Sequence, residues 1–178
     1  GTNHPRMLSA LKSAKKSGAS ILSINPLKET GMRRFRHPQS PIDMLGAGAQ
    51  ISDDHVDIKV NGDMALFRAI GSIILDKGVH DMDFINLNTT GFLDYANNAK
   101  AVDWGLTEDL TGQSRDRIYE ISDYFCRSKR TIVCWAMGIT QHKNSVNTIR
   151  EIMNVLLLKG DIGREGSGPC PVLSLIHI

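Results

Sequence analysis

Val56-Asp-Ile-Lys-Val60-Asn-Gly-Asp63-Met-Ala-Leu-Phe-Arg-Ala-Ile70-Gly-Ser-Ile-Ile74 is the stretch that decides the fold class. Val56, Ile58 and Val60 alternate with charged residues at the period of a strand, and Asn61-Gly62 is a turn pair. Asp63 is then placed as N-cap of a helix, because Met64, Leu66, Phe67, Ile70, Ile73 and Ile74 recur at helical spacing up to Gly78. Strand, short turn and buried helix in that order are one step of an α/β fold.

Outward from this stretch the pattern repeats. Upstream, Pro5 opens a helix carrying Met7, Leu8, Leu11 and Ala14, Gly18 stops it, and Ala19 to Ile24 is an apolar run of strand length ended by Asn25-Pro26. Downstream, Met82 to Leu87 reads as a short helix and Gly91 to Asp109 as irregular chain carrying Tyr95 and Trp104. Ser114 caps a helix with Ile118, Ile121, Tyr124 and Phe125 on one face, up to Arg127. Thr131 to Trp135 is the third strand, followed by a Met137-Gly138 turn and a last helix capped by Ser145. That helix carries Val146, Ile149, Ile152, Met153, Leu156 and Leu157 and stops at Gly160. Residues 28 to 54, with Arg33, Arg34, Arg36 and His37 bunched before Pro38, read as a long ordered surface loop. Strands alternating with helices and no hairpin signal predict an α/β fold, a Rossmann-like αβα three-layer domain with helices on both faces of a parallel sheet.

Composition narrows the function classes. The 178 residues suffice for one domain, or for one piece of a larger multidomain protein. A net charge of +2 excludes nucleic-acid binding by bulk electrostatics, and no apolar run approaches the roughly 20 residues of a membrane span. Cys126, Cys134 and Cys170 form no Cys-x-x-Cys pair, and the histidines show no zinc spacing, so the cysteines read as free thiols in a reducing compartment, the cytoplasm. Gly1 to Pro5 reads as the loop leaving an upstream strand. Leu173 to Ile178 can be encoded by CTG TCT CTT ATA CAC ATC, the run of a common transposon library adapter, and are read as a sequencing artefact. The expected domain is residues 1 to 172.

In an open α/β sheet, ligands sit at the carboxyl ends of the strands. That rule singles out Gly1 to Met7, Ser23 to Leu27, Asn61 to Asp63 and Met137 to Gln141. Gly-x-Gly-x-x-Gly, the phosphate loop ending in Gly-Lys-Ser/Thr and Gly-x-Ser-x-Gly are all missing from the sequence. A dinucleotide site here must be of another design. Asp63 has two readings at this point, a helix cap and a carboxylate accepting the N1 and N2 hydrogens of a guanine. His4, Gln141 and His142 also read as ordinary loop residues, and the arginine cluster as a solvated face or a partner contact.

Taken together, the four segments resemble the molybdopterin guanine dinucleotide oxidoreductases of the dimethyl sulfoxide reductase superfamily, in the formate dehydrogenase alpha-subunit-like branch. The most specific stretch runs from Met137-Gly-Ile-Thr-Gln-His142 through Asn154-Val-Leu-Leu-Leu-Lys-Gly-Asp-Ile-Gly163 to Gly166-Ser-Gly-Pro-Cys-Pro-Val172. By that resemblance Gly1, Thr2 and Asn3 match a strand-end loop that usually reads Trp-Gly-x-Asn and lies along the cofactor phosphates. Ser23, Asn25, Pro26 and Leu27 match the second strand end near the guanosine, with Asn25-Pro26-Leu27 where many relatives have Asp-Pro-Arg. Gly62 and Asp63 match a Pro-Gly-Thr-Asp segment in which the aspartate accepts from guanine. Met137, Gly138 and Gln141 match the loop that reaches the pterin end.

The resemblance implies a molybdenum bis(molybdopterin guanine dinucleotide) cofactor, two-electron oxidoreduction of a small-molecule substrate and an electron-transfer partner subunit. The metal-ligating residue and any iron–sulfur cluster belong upstream of Gly1, and Leu173 stands where relatives have an arginine near the substrate. The competing class is a cofactor-free structural or electron-transfer subunit of the same fold, as in the large iron–sulfur subunit of respiratory complex I. A third is a plain nucleotide-binding module, which would bind free guanine nucleotides tightly. A domain without its outer strands exposes sheet edges and apolar helix faces. Residues 1 to 172 alone are therefore expected to aggregate, and a monomeric, cooperatively melting product in sedimentation and calorimetry would contradict this.

Overall fold

Both strand-and-helix regions predicted from the hydrophobic periods fold as parallel β-pairs with helical connections. The structure, a computed structural model, describes residues 5–36 and 48–172. The chain divides into two compact units, Gly1–Ile58 and Lys59–Ile178. Among the described residues, no helix is long and apolar enough to cross a membrane.

In the first unit, α1 (Pro5–Lys16) begins at its proline and ends before Gly18, which adopts φ +90°. β1 (Leu22–Ile24) pairs in parallel with β2 (Asp54–Val56), Leu22 opposite Asp54 and Ile24 opposite Val56. The connection contains α2 (Thr30–Arg33) and an antiparallel bridge between Phe35 and Ala49. The described parts of that span, residues 28–36 and 48–54, are not the surface loop their mixed composition suggests: Phe35 and Ile51 join Leu8 in a buried cluster, flanked by Leu11, Ile21, Met32 and Ala49. Their spacing is not periodic, so no pattern marked them as core. Asp53 ties the strand to the helix. Its carboxylate pairs with Lys15 and accepts from the Ile21 N–H at 2.7 Å. His37 to Ala47 lie outside the described residues.

The second unit is built around α3 (Asp63–Asp76), in which Leu66, Phe67 and every residue from Ala69 to Leu75 are buried. α4 (Met82–Asn88), α5 (Phe92–Lys100), α6 (Trp104–Thr111) and α7 (Arg115–Arg127) follow. β3 (Ile132–Trp135) then leads through α8 (Met137–Thr140) and α9 (Ser145–Leu158) into β4 (Gly168–Pro171), parallel to β3. Helices α5, α6, α7 and α9 all pack on α3. At roughly 1.5–3 kcal/mol for each large apolar side chain fully buried, α3 is the largest hydrophobic contribution in this unit.

Several boundaries differ from expectation for local reasons. The strand ends at Val56, because the Ile58 N–H turns back to the Val56 carbonyl at 3.0 Å, and Val60 is left exposed. Asp63 is the first residue of α3 and not its cap, which is Gly62. Likewise Asn144, not Ser145, caps α9. Gly91 to Asp109 is helical rather than irregular. Gly91 enters α5 at φ +76°, and the Asp103 carboxylate caps α6 by accepting from the Leu106 N–H at 3.0 Å. The Met137-Gly138 turn is one turn of helix. Gly168 to Pro171 is a strand despite two prolines: the Gly168 N–H donates to the carbonyl of Thr131, just before β3, and the Val172 N–H to that of Trp135, its last residue, so Pro169 and Pro171, alternating with them, face away from the ladder.

Gly71 lies where α5 crosses α3. A Cβ built there would stand 2.2 Å from the Tyr95 hydroxyl oxygen, which is buried without a hydrogen-bond partner among the described residues, and burial together with nearby Glu151 raises the Tyr95 pKa despite Arg68. Gly71→Ala is expected to destabilise the protein by about 1–3 kcal/mol through overpacking. Tyr95→Phe removes the clashing atom and an unsatisfied group, so it should be neutral or stabilising alone and should restore most of the Gly71→Ala loss. Thermal melting of the two single variants and the double variant checks this.

Candidate cofactor-binding site

The strand-end residues of the first unit collect where β1 and β2 terminate. Asn25 follows β1: its N–H donates to the Val56 carbonyl at 3.1 Å and its Oδ1 accepts from the Leu27 N–H at 3.0 Å, closing a turn. That turn leaves Pro26 and Leu27 exposed. Ser23 is buried, with Oγ 3.4 Å from His55 Nδ1. His55 Nε2 lies 3.5 Å from an Asp57 carboxylate oxygen. Ser23 and Asn25 are thus both engaged within their own unit, and the backbone and ring of Asn25-Pro26-Leu27 form the displayed surface. His55 was missed in the sequence; only its register opposite Ser23 reveals it. Gly1, Thr2 and Asn3 lie outside the described residues, as does His4.

In the second unit the structure brings the other two segments together. Asn61, in the left-handed region at φ +68°, accepts through Oδ1 from the Asn144 side-chain amide at 3.5 Å. Gly62 is fixed by packing. Its N–H donates to the Lys59 carbonyl, and a Cβ there would stand 2.6 Å from the Leu110 carbonyl oxygen. The glycine is required by the fold itself, whatever binds beside it.

Asp63 begins α3 half-buried. Burial pushes its carboxyl above the ordinary value, opposed by its own backbone N–H and by the charge of His142. An acid at a helix start is favoured by the helix dipole, yet this one is held in a setting that disfavours its ionised form. Added N–H donors would reverse that balance.

Met137 opens α8 and Gln141 caps its end one turn later, both exposed, with the Gln141 amide donating weakly to the Met137 sulfur at 3.7 Å. Space opens around Gly138, with nothing within 4 Å of a Cβ built there. The neighbouring loop therefore offers an adaptable amide, a polarisable sulfur and bare backbone. Among the described residues no group of three or more His, Cys, Asp or Glu side chains could hold a metal ion.

The molybdopterin oxidoreductase family profile matches residues 1–176. The chain belongs to that family. An uncharacterised oxidoreductase of Mycobacterium tuberculosis is 43% identical over 178 residues, 97% of this chain and 23% of its own length. Protein YdeP of Escherichia coli is 36% identical, over 97% of this chain and 24% of its own length. Formate dehydrogenase H of Escherichia coli is 28% identical over 96% of this chain and 21% of its own. Among solved structures, acetylene hydratase from Pelobacter acetylenicus shares the fold with a TM-score of 0.73 at 19% identity, over 90% of this chain and 20% of that one. The chain spans about a quarter of the length of the curated relatives it matches.

The two readings of Asp63 now separate in the apoprotein. A carboxyl whose pKa is higher folded than unfolded weakens the fold at pH values above both, and this cost disappears as the pH falls through the raised folded value. Asp63→Asn should therefore leave the apoprotein at least as stable as the parent at neutral pH, with the difference fading on acidification. Melting curves across that range check it, and a clear loss of apoprotein stability at neutral pH would return Asp63 to a structural role.

Proposed function

We propose that this chain is the guanosine- and pterin-contacting part of a molybdenum-dependent, formate dehydrogenase-like oxidoreductase that carries bis(molybdopterin guanine dinucleotide). The single observation that carries the reading is Asp63, a half-buried carboxylate whose setting disfavours its charge, at the strand-to-helix loop of a molybdopterin oxidoreductase domain. When bound, the cofactor supplies two-electron redox chemistry at its metal.

The protein's own residues bind and orient. Asp63, ionised, accepts two parallel N–H groups from the Watson–Crick edge of guanine, an arrangement only a carboxylate meets with both oxygens. Its burial is what makes the pairing selective: a ligand lacking those donors leaves the charge unmet. Gly138 allows close approach of backbone, while Gln141 and Met137 give a donor and a soft contact at the pterin end. Gly62 holds the loop that presents Asp63. In this reading Gly1, Thr2 and Asn3 belong along the phosphates, and the strand-end turn of Asn25, Pro26 and Leu27, with Ser23 buried behind it, belongs near the guanosine. The domain is a Rossmann-like αβα three-layer unit of a cytoplasmic enzyme. Its substrate is a small molecule of the formate class, and its electrons leave through a partner subunit.

The full-length protein is the material for the test. Molybdenum or tungsten and a guanine nucleotide released by acid hydrolysis are expected in the purified holoenzyme. In Asp63→Asn the amide accepts one hydrogen and turns a donor toward another donor, costing on the order of 1–3 kcal/mol. Cofactor occupancy at limiting supply should then fall about tenfold, one decade per ~1.4 kcal/mol. A well-folded preparation free of both metals, or a variant with unchanged metal content, would overturn the proposal.

A further inference from the structure

The element of the second unit that the proposed function leaves unused is the β3–β4 pair. Cys134 and Cys170 are register partners across it. Residues directly opposite in a sheet project from the same face, with Cα atoms about 5 Å apart, inside the roughly 4.4–6.8 Å span of disulfides. Both thiols are free and exposed, side by side on that face. β4 is held to β3 by the ladder along one edge, with its two prolines facing away from it. Cys126, by contrast, is partly buried on α7.

We propose that Cys134 and Cys170 are a redox-modifiable dithiol, closed to a cross-strand disulfide by exchange with a small-molecule disulfide of the glutathione type. Partial burial of its sulfur, with the adjacent Cys170 adding to it, pushes the Cys134 thiol up to about 11, and either sulfur can make the first attack. When Cys170 begins, its thiolate, the proton released to solvent, attacks one sulfur of the external disulfide. A Cys170–glutathione bond forms and one glutathione thiolate leaves. Cys134 then gives up its proton and attacks the Cys170 sulfur, the second glutathione departs as the thiol, and the protein disulfide closes. Two thiols are oxidised and one external disulfide is reduced to two thiols. The product staples β3, the strand that runs directly into Met137 to Gln141, to its neighbour.

The test uses the full-length protein incubated with glutathione disulfide and mapped by mass spectrometry without reduction. A Cys134–Cys170 linked peptide, lighter by two hydrogens and reopened by dithiothreitol, is expected, with Cys126 left as a free thiol. In Cys134→Ser, Cys170 should instead accumulate glutathione, because nothing resolves the mixed disulfide. Persistent glutathione on Cys170 in the unsubstituted protein, or two unmodified thiols, would overturn the proposal.

Discussion

Burial of the helix from Asp63 to Asp76 governs the second unit. A helix with apolar groups on most of its circumference cannot rest on a surface; it must be surrounded, and α5, α6, α7 and α9 supply the enclosure. The enclosure dictates side-chain size at the crossing, which is why position 71 carries no Cβ where Tyr95 passes. It also dictates where polarity is tolerated. The first residue of the helix is the point at which the buried rod reaches the loop residues Asn61 and Asn144, and Asp63 is held there between core and surface. Its perturbed acidity follows from the packing behind it as much as from the loop in front.

The first unit is held by a smaller set of forces. Its cluster of Leu8, Phe35 and Ile51 is modest, and much of its definition comes from Asp53. Burial would raise that carboxyl, but the Lys15 ammonium and the Ile21 N–H outweigh it and hold it below the ordinary range. One side chain thereby fixes the end of α1 and the start of β1 together. Ser23 and His55, opposite one another in the ladder, add a polar contact inside the pair. The strand ends in this unit therefore present turns and backbone to the outside, with their polar side chains turned inward.

Periodicity made the helices legible wherever one face alone is buried, as in the run from Ser114 to Arg127, whose cap and end are where the sequence put them. It also found α3 and α9, whose apolar residues are too many to miss. It failed where the decisive signal is a single cap, as with Asp103, or a glycine of positive φ, as with Gly91, since neither repeats. Phe35 and Ile51 escaped because core residues reached by a wandering chain carry no period. Asp63 was legible as a position, but not in its physical state: a cap and the first residue of a helix differ by one place in sequence, and only burial by distant residues distinguishes them. The pairing of Asn61 with Asn144, 83 positions apart, depends on how two loops meet, and that of Cys134 with Cys170 on register, and no local pattern encodes either.

The two prolines of β4 have a consequence for how the sheet can grow. On the edge turned away from β3, the positions that would offer N–H groups are Pro169 and Pro171, so that edge presents carbonyl oxygens and no donors between Gly168 and Val172. A strand approaching from that side can donate to those carbonyls but receives no N–H in return, so pairing there forms about half a ladder at most. Between Gly168 and Val172 the outer edge of β4 is therefore a poor template for a further strand. Such a one-sided edge gives stray strands little to copy.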